Sequence, residues 1–246
     1  MGFNCGIVGL PNVGKSTLFN ALTSTVQAEA ANYPFCTIEP NSGRVAVPDS
    51  RLNKLTELSK SEKIVPTFLE IVDIAGLVRG ASKGEGLGNQ FLGYIRQVDS
   101  VIALLRCFEG GDITHVEGSV DPIRDAETVE TELLLSDLES LERRIEPLER
   151  KVKGGDKDDK ALYDVMSRVL EALRQGMPAR NVEISTEERL FFKELSLITA
   201  KPVLYVCNVG EDEAATGNAH SARVVEKAAA ERAEAVVISA AIEAEI

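Results

Sequence analysis

Six short runs of β-branched and apolar residues recur along the chain, at Phe3–Val8, Arg44–Val47, Phe68–Val72, Val101–Cys107, Val203–Cys207 and Ala235–Ile238. Helically spaced or polar material separates them. Strands that alternate with helices predict a doubly wound α/β fold with a mostly parallel sheet covered on both faces. In such a sheet ligands bind outside the carboxyl ends of the strands. The loops after Val8, Val72, Leu105, Cys207 and Ile238 are therefore where chemistry is expected.

The stretch from Asp121 to Ala200 has no strand character. Within it Leu134, Leu138, Leu141, Ile145, Leu148 and Val152 step by 4, 3, 4, 3 and 4, which is the spacing of a coiled-coil seam. Leu162, Met166, Val169 and Leu173 repeat that spacing, and the polar link Gly154-Gly155-Asp156-Lys157-Asp158-Asp159 lies between the two series. The pattern predicts a helical hairpin projecting from the core. Pro147 removes one helical hydrogen bond in its first arm.

With 246 residues, 44% of them hydrophobic and 27% charged, the chain suffices for one large domain carrying an insertion or for two small ones. No run of 18 apolar residues occurs, and the opening MGFNCGIVGL lacks the pattern of a signal peptide. A cytoplasmic protein without a membrane partner is expected. The four cysteines, Cys5, Cys36, Cys107 and Cys207, are scattered singly, which argues against a disulfide framework or zinc site. A net charge of −12 excludes bulk affinity for nucleic acid, so any RNA contact must come from a local patch. Residues 121–142 hold eight acids and one base, whereas residues 143–160 hold seven bases and five acids. The hairpin tip is thus mildly basic, either a solvated helical face or an RNA-contacting one.

The first apolar run leads directly into Gly9-Leu10-Pro11-Asn12-Val13-Gly14-Lys15-Ser16-Thr17, followed by the helix-like LFNALTST. This is G-x-x-x-x-G-K-[ST] in the strand–loop–helix context the motif requires. Its glycines let backbone N–H groups turn onto phosphate oxygens, and the helix adds its positive end. Lys15 is expected to reach the β- and γ-phosphates, Ser16 to ligate Mg²⁺, and Thr17 to lie near the α-phosphate. Asp73-Ile74-Ala75-Gly76 follows the apolar run PTFLEIV. There Asp73 can hold Mg²⁺, and the Gly76 N–H can approach the γ-phosphate. The segment Asn208-Val209-Gly210-Glu211 and the pair Ser239-Ala240 end the last two strands, where switch proteins that select guanine carry N-K-x-D. Val209 replaces the lysine and Glu211 the aspartate, so a relaxed or adenine-preferring site is expected, unless the segment is a plain turn.

These residues resemble the Obg-related P-loop proteins: GLPNVGKST, the segment from Asn32 to Gly43, and DIAGLVRGASKGEGLGNQFLGYIR. Within them, NVGE is similar to the YchF / Obg-like ATPase branch. The resemblance covers essentially the whole chain. It implies a P-loop nucleotide-binding domain at 1–120 plus 201–246, a helical insertion at 121–200, and a ribosome-associated ATPase that tolerates GTP. Thr37 would be the switch threonine that ligates Mg²⁺ and senses γ-phosphate. Members of the family continue into a small β-rich TGS domain, and this chain stops at Ile246 without one. The partners implied are ATP or GTP and the ribosome or ribosomal RNA, met through the helical tip or the region beyond Ile246.

Leu77 stands where Ras-like enzymes place the glutamine that orients water. Water must then be held by backbone groups, by a monovalent cation, or by His115 in the loop EGGDITHVEG. Asn12 resembles the asparagine that ligates K⁺ in cation-dependent relatives, though a phosphate loop tolerates asparagine for its own geometry. The expected activity is slow ATP hydrolysis, against the alternatives of a GTP-preferring switch or a nucleotide-gated binding module. Redox sensing through Cys36 is a further, weaker reading.

Overall fold

The computed structural model describes residues 3–30, 42–74, 87–110 and 119–246. Among them the six apolar runs form one six-stranded sheet: β1 Phe3–Val8, β2 Ser42–Ala46, β3 Phe68–Asp73, β4 Ser100–Arg106, β5 Val203–Asn208 and β6 Glu234–Ile238. Their spatial order is β2-β3-β1-β4-β5-β6, with β2 antiparallel to β3 and every other pairing parallel. The chain leaves β1 toward β3 and then crosses back to β4 on its other side, so the loop after β1 opens at the topological switch point.

Helices fill the connections: α1 Lys15–Ala30, α2 Ser50–Ser59, α3 Leu87–Gln97, α4 Pro122–Val152, α5 Lys157–Arg174, α6 Arg189–Glu194, α7 Ala219–Ala230 and α8 Ala240–Glu245. Their ends follow local chemistry. Asp121 caps α4 by accepting from the Ile123 N–H at 3.2 Å, with Pro122 in the first turn, where its missing N–H costs nothing. Asp156 caps α5 through the Asp158 and Asp159 N–H groups at 2.8 and 3.1 Å, and those two acids complement the helix dipole. α4 continues through Pro147 to Val152, so this proline does not end the arm.

Among the described residues two hydrophobic cores result. The main one joins the sheet to Leu18 of α1, Leu92 and Ile95 of α3, Ala126, Val129 and Leu133 of α4, and Val224 of α7. A second lies between the far part of α4 and α5, where Leu134, Leu141 and Leu148 meet Val165, Met166, Val169 and Leu173, closed by Leu195 and Leu197. Leu138 and Ile145 of the seam flank it. The two cores divide within α4, between Leu133 and Leu134, so the helix that starts on the sheet ends in the hairpin. Cys107 and Cys207, far apart in sequence, meet where the neighbouring strands β4 and β5 end, and share a thiol hydrogen bond that, with burial, holds Cys107 protonated well above the usual thiol range.

Leu141 is wholly buried at the centre of the second core. Leu141→Ala is expected to cost about 3 kcal/mol in denaturant unfolding. A change under roughly 1 kcal/mol would show that α4 and α5 do not share a packed interior.

Candidate functional site

The phosphate loop leaves β1 at Val8 and enters α1 at Lys15. Gly14 holds φ at +98°, and a Cβ there would sit 2.6 Å from Asn208 Nδ2. Backbone conformation and close approach thus both require glycine at this position. The Gly14 carbonyl accepts the Leu18 N–H at 2.9 Å, starting the helix. Asn12 is exposed and holds φ at +64°, a left-handed conformation that asparagine tolerates better than most side chains. Val13 is buried, and Thr17 is exposed at the first turn of α1.

Lys15 is 8% exposed and donates from Nζ to the Leu10 carbonyl at 2.8 Å, closing the loop on itself. Burial lowers its pKa below the usual lysine range, while the Asp73 charge pulls the other way. Ser16 Oγ donates to Asp73 Oδ2 at 3.1 Å, bringing the ends of the loop and of β3 together. The other oxygen, Asp73 Oδ1, is buried without a hydrogen-bond partner. A buried carboxylate oxygen left unpaired beside a hydroxyl is the donor set that a hard, oxygen-seeking cation completes, so these residues fit Mg²⁺.

At the other end of the site Asn208 closes β5 with both amide atoms engaged. Its Nδ2 donates to the Val13 carbonyl at 3.0 Å, and its Oδ1 accepts the Ala240 N–H at 2.9 Å. Asn208 is 4% exposed and works by holding the phosphate loop and the start of α8 against β5. Val209 packs into the main core, whereas Glu211 is exposed at the head of a short 3-10 helix, Glu211–Glu213. Ser239 Oγ is buried and unpartnered beside Ala240. Thr37, Gly76, Leu77, His115 and Cys36 lie outside the described residues.

Several supporting side chains carry no motif. Asn218, the cap of α7, donates to the Cys107 carbonyl at 2.6 Å and to Glu213 Oε2 at 2.7 Å, tying together the segments that follow β4 and β5. Arg106 is buried at the end of β4, donates to the carbonyls of Phe108 and Gly110 at 3.3 and 3.0 Å, and lies over the Phe108 ring. An arginine at the end of an apolar strand was the available signal, but the Phe108 and Gly110 acceptors are backbone carbonyls, which sequence does not distinguish.

A family model described as a 50S ribosome-binding GTPase matches residues 4–144. The ribosome-binding ATPase YchF of Bacillus subtilis is 54% identical over 248 residues, covering 100% of this chain and 68% of that protein. The protein of the same name from Haemophilus influenzae is 54% identical, covering 100% and 67%. A solved structure, the Schizosaccharomyces pombe YchF GTPase, superposes with a TM-score of 0.85 at 38% identity over 99% of this chain and 67% of that one.

Gly14→Ala forces a strained φ and pushes a methyl group against Asn208. Calorimetric titration with a non-hydrolysable ATP analogue in Mg²⁺ is expected to show binding weakened by about tenfold or more, equivalent to roughly 1.4 kcal/mol. Undiminished affinity would mean that nucleotide does not use this loop.

Proposed function

The chain belongs to the YchF family of P-loop nucleotide hydrolases, and from that premise we propose that it is a slow Mg²⁺-dependent ATPase whose nucleotide state sets its hold on the ribosome. The observation that carries this reading is the Ser16–Asp73 contact with its spare, buried Asp73 oxygen. Ser16, Asp73 and Thr37 would hold the Mg²⁺, which when bound neutralises the phosphate charge. Lys15, now spent on the Leu10 carbonyl, exchanges that acceptor for phosphate oxygens; an ammonium disfavoured by burial gains most from an anionic partner. The Gly76 N–H faces the γ-phosphate in this reading, and His115 or a K⁺ ion held by Asn12 orients the water that Leu77 cannot.

Base choice follows from charge and reach. With Val209 packed inward, no lysine stem covers the base, and Glu211 offers an exposed carboxylate longer than the aspartate that reads guanine. This supports adenine over guanine, with Glu211 as the exposed group that meets the base and Asn208, Val209, Ser239 and Ala240 buried behind it. The bacterial relatives bear the name ATPase and the yeast relative the name GTPase.

For the assignment of 1–120 with 201–246 to the nucleotide-binding domain and of 121–200 to a coiled-coil insertion, the second core and the absence of strands among the described residues between β4 and β5 support a helical insertion, whereas Ala126, Val129, Leu133 and Ile198 pack in the main core and move its start into α4. At the hairpin tip Arg143 and Arg150 pair with Glu139 and Glu146 on their own helix. Lys151, Lys153, Lys157 and Lys160 have no ion pair among the described residues, and they supply the positive charge that supports ribosomal RNA as the contact. No helix of the described residues is long and apolar enough to cross a membrane.

Phosphate release in Mg²⁺ and K⁺ is expected to show higher kcat/KM for ATP than for GTP. Asp73→Asn is expected to slow ATP turnover by roughly 30-fold, about 2 kcal/mol, and metal chelation to abolish it. Faster GTP turnover would return the protein to the GTPase switches, and tight binding without turnover would leave a binding module. Replacing Lys151, Lys153 and Lys157 by Glu is expected to release the protein from sedimented ribosomes at lower salt than the native chain, and an unchanged salt dependence would remove the tip from the contact.

A further inference from the structure

The turn that follows β5 carries Glu211, and nothing among the described residues holds its side chain: the carboxylate has no hydrogen bond or ion pair there. Where that carboxylate reaches is therefore set by the backbone beneath it. This backbone is a single turn of 3-10 helix, Glu211–Glu213, too short to be stable alone. Its shape has to come from its neighbours.

The neighbours form a hydrogen-bonded circuit that begins and ends at the close of β5. Val209, the residue after Asn208, donates its N–H to the Ile238 carbonyl at 2.9 Å. The Gly210 N–H donates to Glu213 Oε2 at 3.3 Å, and the Glu213 N–H returns to the Gly210 carbonyl at 3.0 Å, a reciprocal pair that closes the turn. The same Glu213 oxygen accepts from Asn218 Nδ2 at 2.7 Å. Asn218 Nδ2 donates as well to the Cys107 carbonyl at 2.6 Å, and the Cys107 N–H donates to the Asn208 carbonyl at 2.8 Å. Asn218 Oδ1 accepts the Ser221 N–H at 3.0 Å, so both atoms of the amide are engaged. Gly217 turns the chain back to make this contact, with φ at +69° and its N–H on the Glu213 carbonyl at 2.7 Å.

Placement matters because the two purines present opposite groups at one place. Adenine carries an amino donor at position 6 where guanine carries an oxygen acceptor, and guanine adds an amino donor at position 2 beside its N1–H. A carboxylate opposite position 6 accepts from adenine and repels guanine. Shifted along the ring edge toward positions 1 and 2, the same carboxylate accepts from guanine instead. A loosened turn lets Glu211 serve either base.

We infer that Glu213 and Asn218 are positioning residues for base choice: they hold the Glu211 turn where its carboxylate favours adenine, without touching the nucleotide themselves. The inference rests on the reading of Glu211 as the group that meets the base. Glu213 supplies the acceptor that closes the turn, and Asn218 supplies the donor that fixes this acceptor to the end of β4. Asn208 has a different task, since it braces the phosphate loop that every nucleotide shares.

The test measures kcat and KM for ATP and GTP from the nucleoside diphosphate formed, with inorganic triphosphate as a base-free competitor. Asn218→Asp keeps an oxygen to cap α7 but removes both donors and sets a carboxylate beside Glu213. Glu213→Ala removes the acceptor at a half-buried turn. In each variant the ratio of kcat/KM for ATP to that for GTP is expected to fall by about tenfold, the lower end of what one well-placed base contact discriminates. The change falls on KM, while kcat for ATP and inhibition by triphosphate stay within about threefold of the unmodified chain. Glu213→Gln retains an oxygen within reach of both donors and is expected to keep the ratio within about twofold. An equal loss for ATP, GTP and triphosphate marks collapse of the site and overturns the inference. Glu211→Ala reads the premise separately. An unaltered ratio there removes the reading of Glu211, whereas an altered ratio there beside unaltered ratios in Asn218→Asp and Glu213→Ala overturns the positioning role itself.

Discussion

The site depends on the two hydrogen bonds of the Asn208 side chain. Buried at the end of β5, this amide holds the Val13 carbonyl of the phosphate loop on one side and the Ala240 N–H on the other. A loop whose N–H groups must converge on phosphate has little side-chain packing of its own, and it needs an external brace to stay turned inward. Asn208 supplies that brace, and Gly14 makes room for it by lacking a Cβ. Lys15 then closes on the Leu10 carbonyl, and Ser16 meets Asp73. A phosphate cradle ordered before ligand arrives loses less entropy on binding than one that must be assembled.

The same economy governs α4. α4 begins on the main core and ends in a core of its own, so burial along one continuous helix joins the two packed regions. Burial alone is non-directional and would tolerate sliding of α4 against the sheet. Charged groups in buried or half-buried positions, Asp137 with Arg96 and Glu130 with Arg180, set the register, because a displaced carboxylate would be left unpaired.

All six strands were legible as short apolar runs, β1, β4 and β5 most plainly because they are buried along most of their length. The start of β2 was less so. Ser42 and Gly43 carry no apolar signal, and Gly43 is required because a Cβ there would meet Thr23 Cγ2 at 2.2 Å, a contact between α1 and β2 that only the fold creates. α2 left no periodic stripe to read, having no buried residue, and α7 is largely alanine and polar residues. The phosphate-loop and Asp73 positions followed from motif spacing. The work of Asn208 did not, since a motif gives a residue its position but not the partners that saturate its amide. Asp137 sits in an acid-rich run that reads as a solvated face, and its burial depends on Arg96, a residue from another element. Cys107 and Cys207, single in sequence, are neighbours because β4 and β5 pair in parallel register.

The most direct test of the central claim is calorimetric titration of Asn208→Ala with a non-hydrolysable ATP analogue in Mg²⁺ and K⁺, alongside the unmodified chain and with the melting temperature of each recorded. With the Val13 carbonyl and the Ala240 N–H both released, affinity is expected to fall by roughly 30-fold, about 2 kcal/mol, in protein that is still folded at the titration temperature. Affinity within twofold of the unmodified chain would contradict the account, because the phosphate loop would then hold its shape without the brace.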